Sequence, residues 1–236
     1  MAEYLAFHYL EPRVLLPKGN RPPFGIRNFP AACAKVLLTE AGRKKIRARR
    51  ALDLGCAVGR SSFELARVVP EVVGIDFSRI FIAAAKKLAS TGAYSFRLKE
   101  EGTLTRPVRA VAPSRKIRKR VCFRTADALR LPELGTFDLL LAANLLDRVK
   151  DPRVLLQKVL PHLVRPGGLL LLTSPYTWSP EFTPRSQWLK DSFPAIRKLL
   201  SPFFHLVHRQ DLPFLLREHR RKFQLTFADA TLWIRR

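Results

Sequence analysis

The feature of this chain that most limits its fold is an alternation. Strand-like runs "ALDLG" (51–55), "VVGID" (72–76), "VCFRT" (121–125), "FDLLLAAN" (137–144) and "GGLLLLTS" (167–174) are separated by segments of helical spacing. In "GRSSFELARVV" the residues Phe63, Leu65, Ala66 and Val69 recur at that spacing, Ser78 stands where it can cap a helix in "SRIFIAAAKKLAS", and "PRVLLQKVLPHLV" continues the pattern. Strands joined through helices need right-handed crossovers, which produce a parallel sheet covered on both faces. The end of the chain departs from this. "FFHLVHRQDLPFLL" and "FQLTFADATLWIRR" are β-rich with only "REHRRK" between them, which predicts an antiparallel hairpin at one sheet edge. The expected fold class is therefore α/β, mostly parallel with a C-terminal antiparallel hairpin.

Two segments stand outside the alternation. Residues 1–48 read as an N-terminal extension and lid before a domain at 49–236. Residues 94–120 are polar, basic and interrupted by Pro107 and Pro113, and read as a mobile insertion before the third strand. With 236 residues, 47% hydrophobic, the chain can bury one core. No apolar run approaches the roughly 20 residues of a membrane helix, so no membrane span is expected. The N-terminus lacks the pattern of a secretory signal, and Glu3 and Glu11 are out of place in a mitochondrial presequence. Cys33, Cys56 and Cys122 form no CxxC pair and have no histidine at zinc-ligand spacing, so a reducing, cytoplasmic or nuclear compartment is expected and no metal is implied.

Charge is the oddest part of the composition. The formal net charge is +24, concentrated in "GRKKIRARR" (42–50), "SRKIRKR" (114–120) and "REHRRK" (217–222), which flank the expected elements. Such runs are either solvated surface or the docking face for an anionic partner: nucleic acid, an acidic protein or anionic lipid. The first two also resemble nuclear-localisation patches.

The loop "ALDLGCAVGRSS" decides the ligand class. A dinucleotide loop needs three glycines for the turn, the pyrophosphate and helix packing. Here Gly55 holds the first place, but Ala57 and Arg60 hold the other two, and Asp53 would set a negative charge beside a pyrophosphate. A cationic ligand without phosphates is favoured, and S-adenosylmethionine fits: Asp53 can favour its amine, directly or through water. Gly55 and Gly59 permit close backbone approach, and the helix start can meet its carboxylate. Asp76 ends the second strand where it can accept from both ribose hydroxyls. Asp127 follows the third, where it can take the adenine amino group while Ala128 donates its N–H. Cys56 is read as a small residue suited to close packing. The expected cofactor set is Asp53, Gly55, Cys56, Ala57, Gly59, Asp76, Phe77, Asp127, Ala128 and Asn144.

These segments, with "DALRLP", "FDLLLAANLLDRVKDP" and "GGLLLLTSPYTW", resemble the class I S-adenosylmethionine-dependent methyltransferases over nearly the whole chain. The resemblance implies a Rossmann-like, seven-stranded sheet. A tighter match is carried by "NFPAACAK", "LDLGCAVGRSSFELAR", "GIDFSRIFI", "LKEEG", "ANLLDRVKDP", "TSPYTW" and "LPFLLREHRRKFQLTFADATLW". Together they are similar to the C-terminal methyltransferase domain of ovothiol-biosynthesis enzymes, the 4-mercaptohistidine N-methyltransferases. That resemblance implies methylation of an imidazole nitrogen on 5-histidylthiol. The iron-dependent sulfoxide-synthase half of the bifunctional enzymes has no counterpart in this sequence.

Methyl transfer to nitrogen is an in-line displacement in which alignment carries most of the burden. A neutral imidazole attacks directly, and a polar or carboxylate partner on its other nitrogen orients the ring and steadies developing charge. Beyond the fourth and fifth strands, Asn144 and Asp147 are candidates for hydrogen bonding the acceptor, and Tyr176 and Trp178 for stacking on it or on the sulfonium. In "FHYLEP", His8 is a further candidate if the segment folds over the cofactor, and Arg27 and Arg217 can pair with an amino-acid carboxylate. Two other readings compete: RNA or a protein side chain as acceptor, and a non-catalytic binding module on the same fold. The basic runs lack interleaved aromatics for base stacking, which speaks against sequence-specific RNA work.

Overall fold

The computed structural model describes residues 1–236. Three helices lead in: α1 (Ala2–Tyr9), α2 (Pro12–Leu15) and α3 (Phe29–Arg43). The alternation follows as β1 (Arg50–Leu54), α4 (Arg60–Leu65), β2 (Glu71–Asp76), α5 (Arg79–Thr91), β3 (Ala93–Glu101), β4 (Leu104–Val111), α6 (Arg115–Arg118), β5 (Val121–Thr125) and β6 (Phe137–Ala143). Then come α7 (Pro152–Val154), a π-helical turn at Leu155–Val159, α8 (Leu160–Leu163), β7 (Val164–Ser174), α9 (Ser192–Leu200), β8 (Phe204–His219) and β9 (Lys222–Arg235). The main sheet has seven strands in the order β5-β2-β1-β6-β7-β9-β8. The first five are parallel, and β9 pairs antiparallel with both β7 and β8. This is the expected mostly parallel sheet closed by an antiparallel hairpin.

Side-chain alternation along the strands divides the core into layers. Leu52 and Leu54 of β1 face Leu155, Leu160 and Ile196 on one side, whereas Ala51 joins Cys33, Leu37 and Leu65 of α3 and α4 on the other. Helix α3 is therefore built into the domain core although it lies within the N-terminal extension. Ser78 caps α5 as expected, its Oγ accepting from the Phe81 N–H at 3.3 Å.

Two sequence expectations are corrected. The segment expected to be a mobile insertion forms the β3–β4 antiparallel hairpin, with Pro107 opposite Arg97. A two-stranded ribbon has open edges, so a proline without an N–H is accommodated there. The run "REHRRK" does not simply flank its elements either, because β8 and β9 extend through it and leave Arg220 and Arg221 between them. Past the Ser174–Asp229 pair, β8 and β9 continue as a ribbon beyond the carboxyl ends of the parallel strands. It meets the β3–β4 hairpin through Arg217, whose side chain is only 2% exposed and donates to the Lys99 carbonyl (2.8 Å) and to Glu100 (3.0 Å). Arg217 is thus spent on structure and is withdrawn as a partner for a substrate carboxylate. Helix α1 wedges into the same corner, with Phe7 against Phe214 and Ala6 against Leu15 and Leu98. A cap of α1, hairpin and ribbon results over the carboxyl edge.

Candidate functional site

The acids singled out from sequence collect at this edge, each held by a different local device. Asp53 at the end of β1 is buried and accepts from the hydroxyls of Ser61 and Ser62, both at 2.6 Å. Burial pushes its pKa up to about 6, with the two hydroxyls pulling the other way. Asp76 ends β2 and is held from two directions, Oδ2 accepting from the Ala57 N–H (2.9 Å) and Oδ1 from the Ser78 N–H (2.8 Å). Burial raises it as well, against those two backbone donors. Asp127 Oδ1 accepts from the Leu129 N–H at 2.9 Å, which closes a turn, and the Ala128 N–H donates to no protein group.

The loop between β1 and α4 is not a phosphate cradle. Gly55 and Cys56 donate to the Ile75 carbonyl, Ala57 to Asp76, and Gly59 to the Cys56 carbonyl, so these four N–H groups are used inside the protein. An anion would find few amides free, whereas a ligand with hydroxyls and an ammonium meets acids; this donor set fits S-adenosylmethionine and disfavours a pyrophosphate. Gly59 sits at φ 85°, and a Cβ there would come within 2.5 Å of the Phe123 ring, so packing requires this glycine whatever the ligand. The Cys56 side chain is buried with Tyr9 and Val58 and its thiol is raised by burial, which leaves only its backbone near the loop. Phe77, beside Asp76, is 77% exposed and free to cover a ligand.

The ends of β6 and β7 carry the strained backbone. Asn144 (φ 52°) and Tyr176 (φ 55°), like Ala57 (φ 45°) in the loop, adopt the left-handed region without being glycine. Asn144 is fixed by its N–H to the Thr173 carbonyl (2.9 Å) and by the Thr173 hydroxyl to its Oδ1 (2.8 Å). Tyr176 donates to Asp229 at 2.6 Å, and Asp229 also receives Arg209 at 2.9 Å, so this phenol is engaged and its ring is the available part. Trp178 donates to Ser192 at 3.2 Å, tying the loop after β7 to α9.

Asp147 is the exception in this group. It is 0% exposed, and neither carboxylate oxygen makes a hydrogen bond of normal geometry. Burial raises its pKa, while Arg148, the Thr177 backbone and the Ser174 hydroxyl favour the charged form. An orphan carboxylate in a closed corner calls for a donor.

On the cap side, His8 is 6% exposed among Tyr4, Phe7 and Tyr9, its Nδ1 has no partner, and burial with help from Arg60 lowers its pKa to about 3. Tyr9 pins α1 to the loop through its hydroxyl on the Val58 carbonyl at 2.8 Å. Tyr4, which sequence reasoning missed, stands at the cleft: it is 43% exposed and its ring lies 4.5 Å from Phe81. Burial raises its phenol, Arg148 opposes this, and Asp76, Glu3 and Asp147 add to it. Tyr4 is thus within the field of the acids at the ends of both β2 and β6. In "AEYLAFHY" Tyr4 and His8 are one helical turn apart, a spacing that puts them on one face but does not say where that face seats.

A sheet of this order, with acids at successive strand ends and a cap over them, defines the class: a class I, S-adenosylmethionine-dependent methyltransferase. The chain belongs to the methyltransferase-domain family, which matches residues 26–222. Comparison with curated proteins finds no match. Among solved structures, the N-methyltransferase NodS from Bradyrhizobium japonicum WM9, in complex with S-adenosyl-L-homocysteine, is 16% identical and covers 100% of this chain and 98% of its own, with a TM-score of 0.56. The methyltransferase domain of bacterial CtHen1-C is 14% identical over 86% of this chain and 98% of its own, with a TM-score of 0.55. A structure concerned with conversion of a disulfide bond into a thioacetal group in echinomycin biosynthesis is 18% identical over 84% and 80%, with a TM-score of 0.57. At such identities the likeness is one of fold.

Proposed function

We propose that this methyltransferase acts on an imidazole nitrogen of a small 4-mercaptohistidine-like amino acid, with the acceptor seated between Asp147 and the α1 cap. The observation that carries the reading is the buried Asp147 carboxylate, which makes no hydrogen bond of normal geometry, just past the end of β6 and near Asn144 and Tyr176 with their left-handed backbone. S-adenosylmethionine supplies an electrophilic methyl group. In this reading Asp76 holds its ribose, Asp127 and Ala128 its adenine, and Asp53 its amine through the Ser61–Ser62 shell, with Gly55, Cys56, Ala57 and Gly59 as backbone floor and Phe77 as cover.

Asp147 is closed off in this structure, so in this reading the side chains over it part as the acceptor enters. Its carboxylate then accepts the imidazole N–H, and the lone pair of the other nitrogen points along the transfer axis. The same carboxylate steadies the positive charge that grows on the ring as the new N–C bond forms and the sulfonium S–C bond breaks, with S-adenosylhomocysteine leaving as the neutral thioether. The imidazolium then gives up its N–H proton to Asp147. Asn144 presents its side-chain amide to the acceptor, the rings of Tyr176 and Trp178 wall it, and Tyr4 closes the cleft from α1. His8 holds the cap rather than moving a proton, because its ring is buried against α1 aromatics and favours the neutral form. In this reading the lid within residues 1–48 is α1, while α3 belongs to the core of the domain at 49–236. A cytoplasmic or nuclear compartment suits the free Cys33, Cys56 and Cys122.

An RNA or protein acceptor gains no support, because the two longest basic runs lie at the opposite end of the parallel strands from Asp147. An anionic partner for that surface is a separate matter from the methyl acceptor. The test is calorimetric titration with S-adenosylmethionine followed by transfer assays on 5-histidylthiol, histidine and total RNA. Transfer to the thiolated histidine alone is expected; transfer to RNA in its place would overturn the reading.

A further inference from the structure

Two of the basic runs are separated by more than sixty residues in the sequence, yet the sheet brings them to one edge. The Glu71 N–H bonds to the Arg49 carbonyl (3.2 Å) and the Val72 N–H to the Arg120 carbonyl (2.9 Å). Arg49 and Arg120 therefore flank the start of β2, about 10 Å apart by strand spacing. Ile46 and Ile117 pack against the same apolar cluster, which fixes both runs to the domain. The edge is the amino end of the parallel strands, opposite the acids of the transfer site.

Some of its cations are already committed. Arg118 donates to the carbonyls of Ala89 and Ser90 and Arg120 to that of Ala66. Most nearby acids are taken as well: Glu40 by Arg43 and Lys44, Glu64 by Arg60 and Arg67, Glu71 by Arg50, and Asp138 by Arg165. Glu133, next to the Leu134 carbonyl that accepts from Arg50, is exposed and makes no ion pair. Lys45, Arg47, Arg49, Arg115, Lys116 and Lys119 remain exposed and make no ion pair. Arg47 and Arg49 line a surface hollow of about 510 Å³ together with Ile46, Ala48, Val68 and Pro70.

We infer that this edge binds a nucleic-acid duplex through its phosphates, independently of base sequence. Six exposed cations without ion pairs outnumber the one unpaired acid beside them, Glu133, and match a regularly spaced polyanion. The exposed aromatics Tyr4, Phe24, Phe77, Phe182 and Phe227 all lie outside these segments, so the edge offers neither a stacking platform for single-stranded bases nor an aromatic anchor for a membrane. The surface tethers the enzyme while the opposite edge stays open to a small substrate.

The test is fluorescence anisotropy of the whole protein with a labelled RNA duplex of about two helical turns, titrated across salt. Six phosphate contacts correspond to a log–log slope of about −5, or about a thousandfold loss of affinity between 50 and 200 mM salt. The triple variants K45Q/R47Q/R49Q and R115Q/K116Q/K119Q should each remove about half of that slope while cofactor affinity, measured by calorimetry, stays as it was and reports a folded domain. The slope should be the same for duplexes of different sequence. No measurable duplex binding, an unchanged slope in both variants, or tighter binding to vesicles of phosphatidylserine and phosphatidylcholine in equal parts would overturn the inference. None of these outcomes depends on which acceptor is methylated.

Discussion

The carboxyl and amino edges of the sheet both carry dense charge, but they hold it in opposite ways. At the carboxyl edge Asp53 and Asp147 are withdrawn from water, Asp76 is partly so, and burial raises all three. At the amino edge Arg47, Arg49, Lys116 and their neighbours stand in solvent, and the ion pairs around Glu40 and Glu71 involve partly exposed side chains. A withdrawn carboxylate acts strongly over a few ångströms on whatever bonds to it, with little screening by salt. Exposed cations act together over about a Debye length and fade as salt is added. The first edge suits chemistry at one atom and the second suits attraction of a large anion. Acid and single substitutions should therefore disturb the one, and salt the other.

The largest effect is expected from acid acting through His8. Its pKa in the folded protein is about 3, below the ordinary 6.5, so above pH 6.5 the ring is neutral whether α1 is docked or free and stability is at its full value. As pH falls from 6.5 towards 3, the free state binds a proton that the docked state refuses, and stability is lost. The gap sets a ceiling of about 5 kcal/mol, of which about 2 kcal/mol falls between pH 7 and 5. Because raised carboxyls act in the opposite sense over the same range, the comparison with His8→Phe isolates His8. By urea denaturation the change in stability from pH 7 to 5 should be about 2 kcal/mol less favourable in the natural protein than in His8→Phe, and equal changes in the two would remove His8 from the cap. Asp53 runs the other way, since a carboxyl raised to about 6 contributes stability that is present below about pH 4 and lost as pH rises through 6.

Asp147→Asn comes next. It keeps the shape and one acceptor but removes the charge that faces the growing imidazolium. A fall in kcat of about a hundred- to a thousandfold is expected, with cofactor affinity within about twofold. Thermal stability should hold or rise, because the buried charge lacks a hydrogen-bonded partner in the natural protein. Unchanged turnover would reduce Asp147 to a structural acid.

Asp76→Ala should lower cofactor affinity by about ten- to a hundredfold, the loss of hydrogen bonds to a charged group, in a protein that still unfolds cooperatively. Arg47→Gln, at the other edge, is the matched control and should leave that affinity within about twofold. Calorimetry on the pair decides whether the two edges are as separate as their geometry indicates.

Much of the carboxyl edge was legible in the sequence because a parallel sheet turns linear order into spatial order. Asp53, Asp76 and Asp127 close three successive strand runs, so the alternation places them at one edge, and the strand order β5-β2-β1 sets them side by side. The antiparallel hairpin of β8 and β9 was legible from two β-rich runs with only a short polar stretch between them. Tyr4 was not, because its position depends on how α1 seats against the sheet, and that is set by Tyr9 on Val58 and Phe7 on Phe214. The β3–β4 hairpin was hidden by its prolines and by side chains whose partners, such as Arg217 for Glu100, lie over a hundred residues away. The convergence of two basic runs on one edge required the strand order. The left-handed backbone of Tyr176 left no compositional trace, whereas Asn144 is of a residue type that adopts it readily.

Ala57 gives the smallest and sharpest test of how the carboxyl edge is built. The loop needs positive φ there so that the Ala57 N–H can reach Asp76 at 2.9 Å, and the residue that holds it is not glycine. Left-handed backbone costs an L-residue about 1–2 kcal/mol, while glycine adds back about 0.4–1 kcal/mol through the freedom of the unfolded chain. Ala57→Gly should therefore stabilise the protein by about 0.5–1 kcal/mol, a rise in Tm of about 1–4 °C for a chain of this size. Cofactor affinity should barely move, because the N–H that steadies Asp76 is retained. A fall in Tm would mean that the buried methyl group contributes more than the strain costs. The loop would then owe its shape to packing against Cys56 and Val58, with the turn itself a consequence.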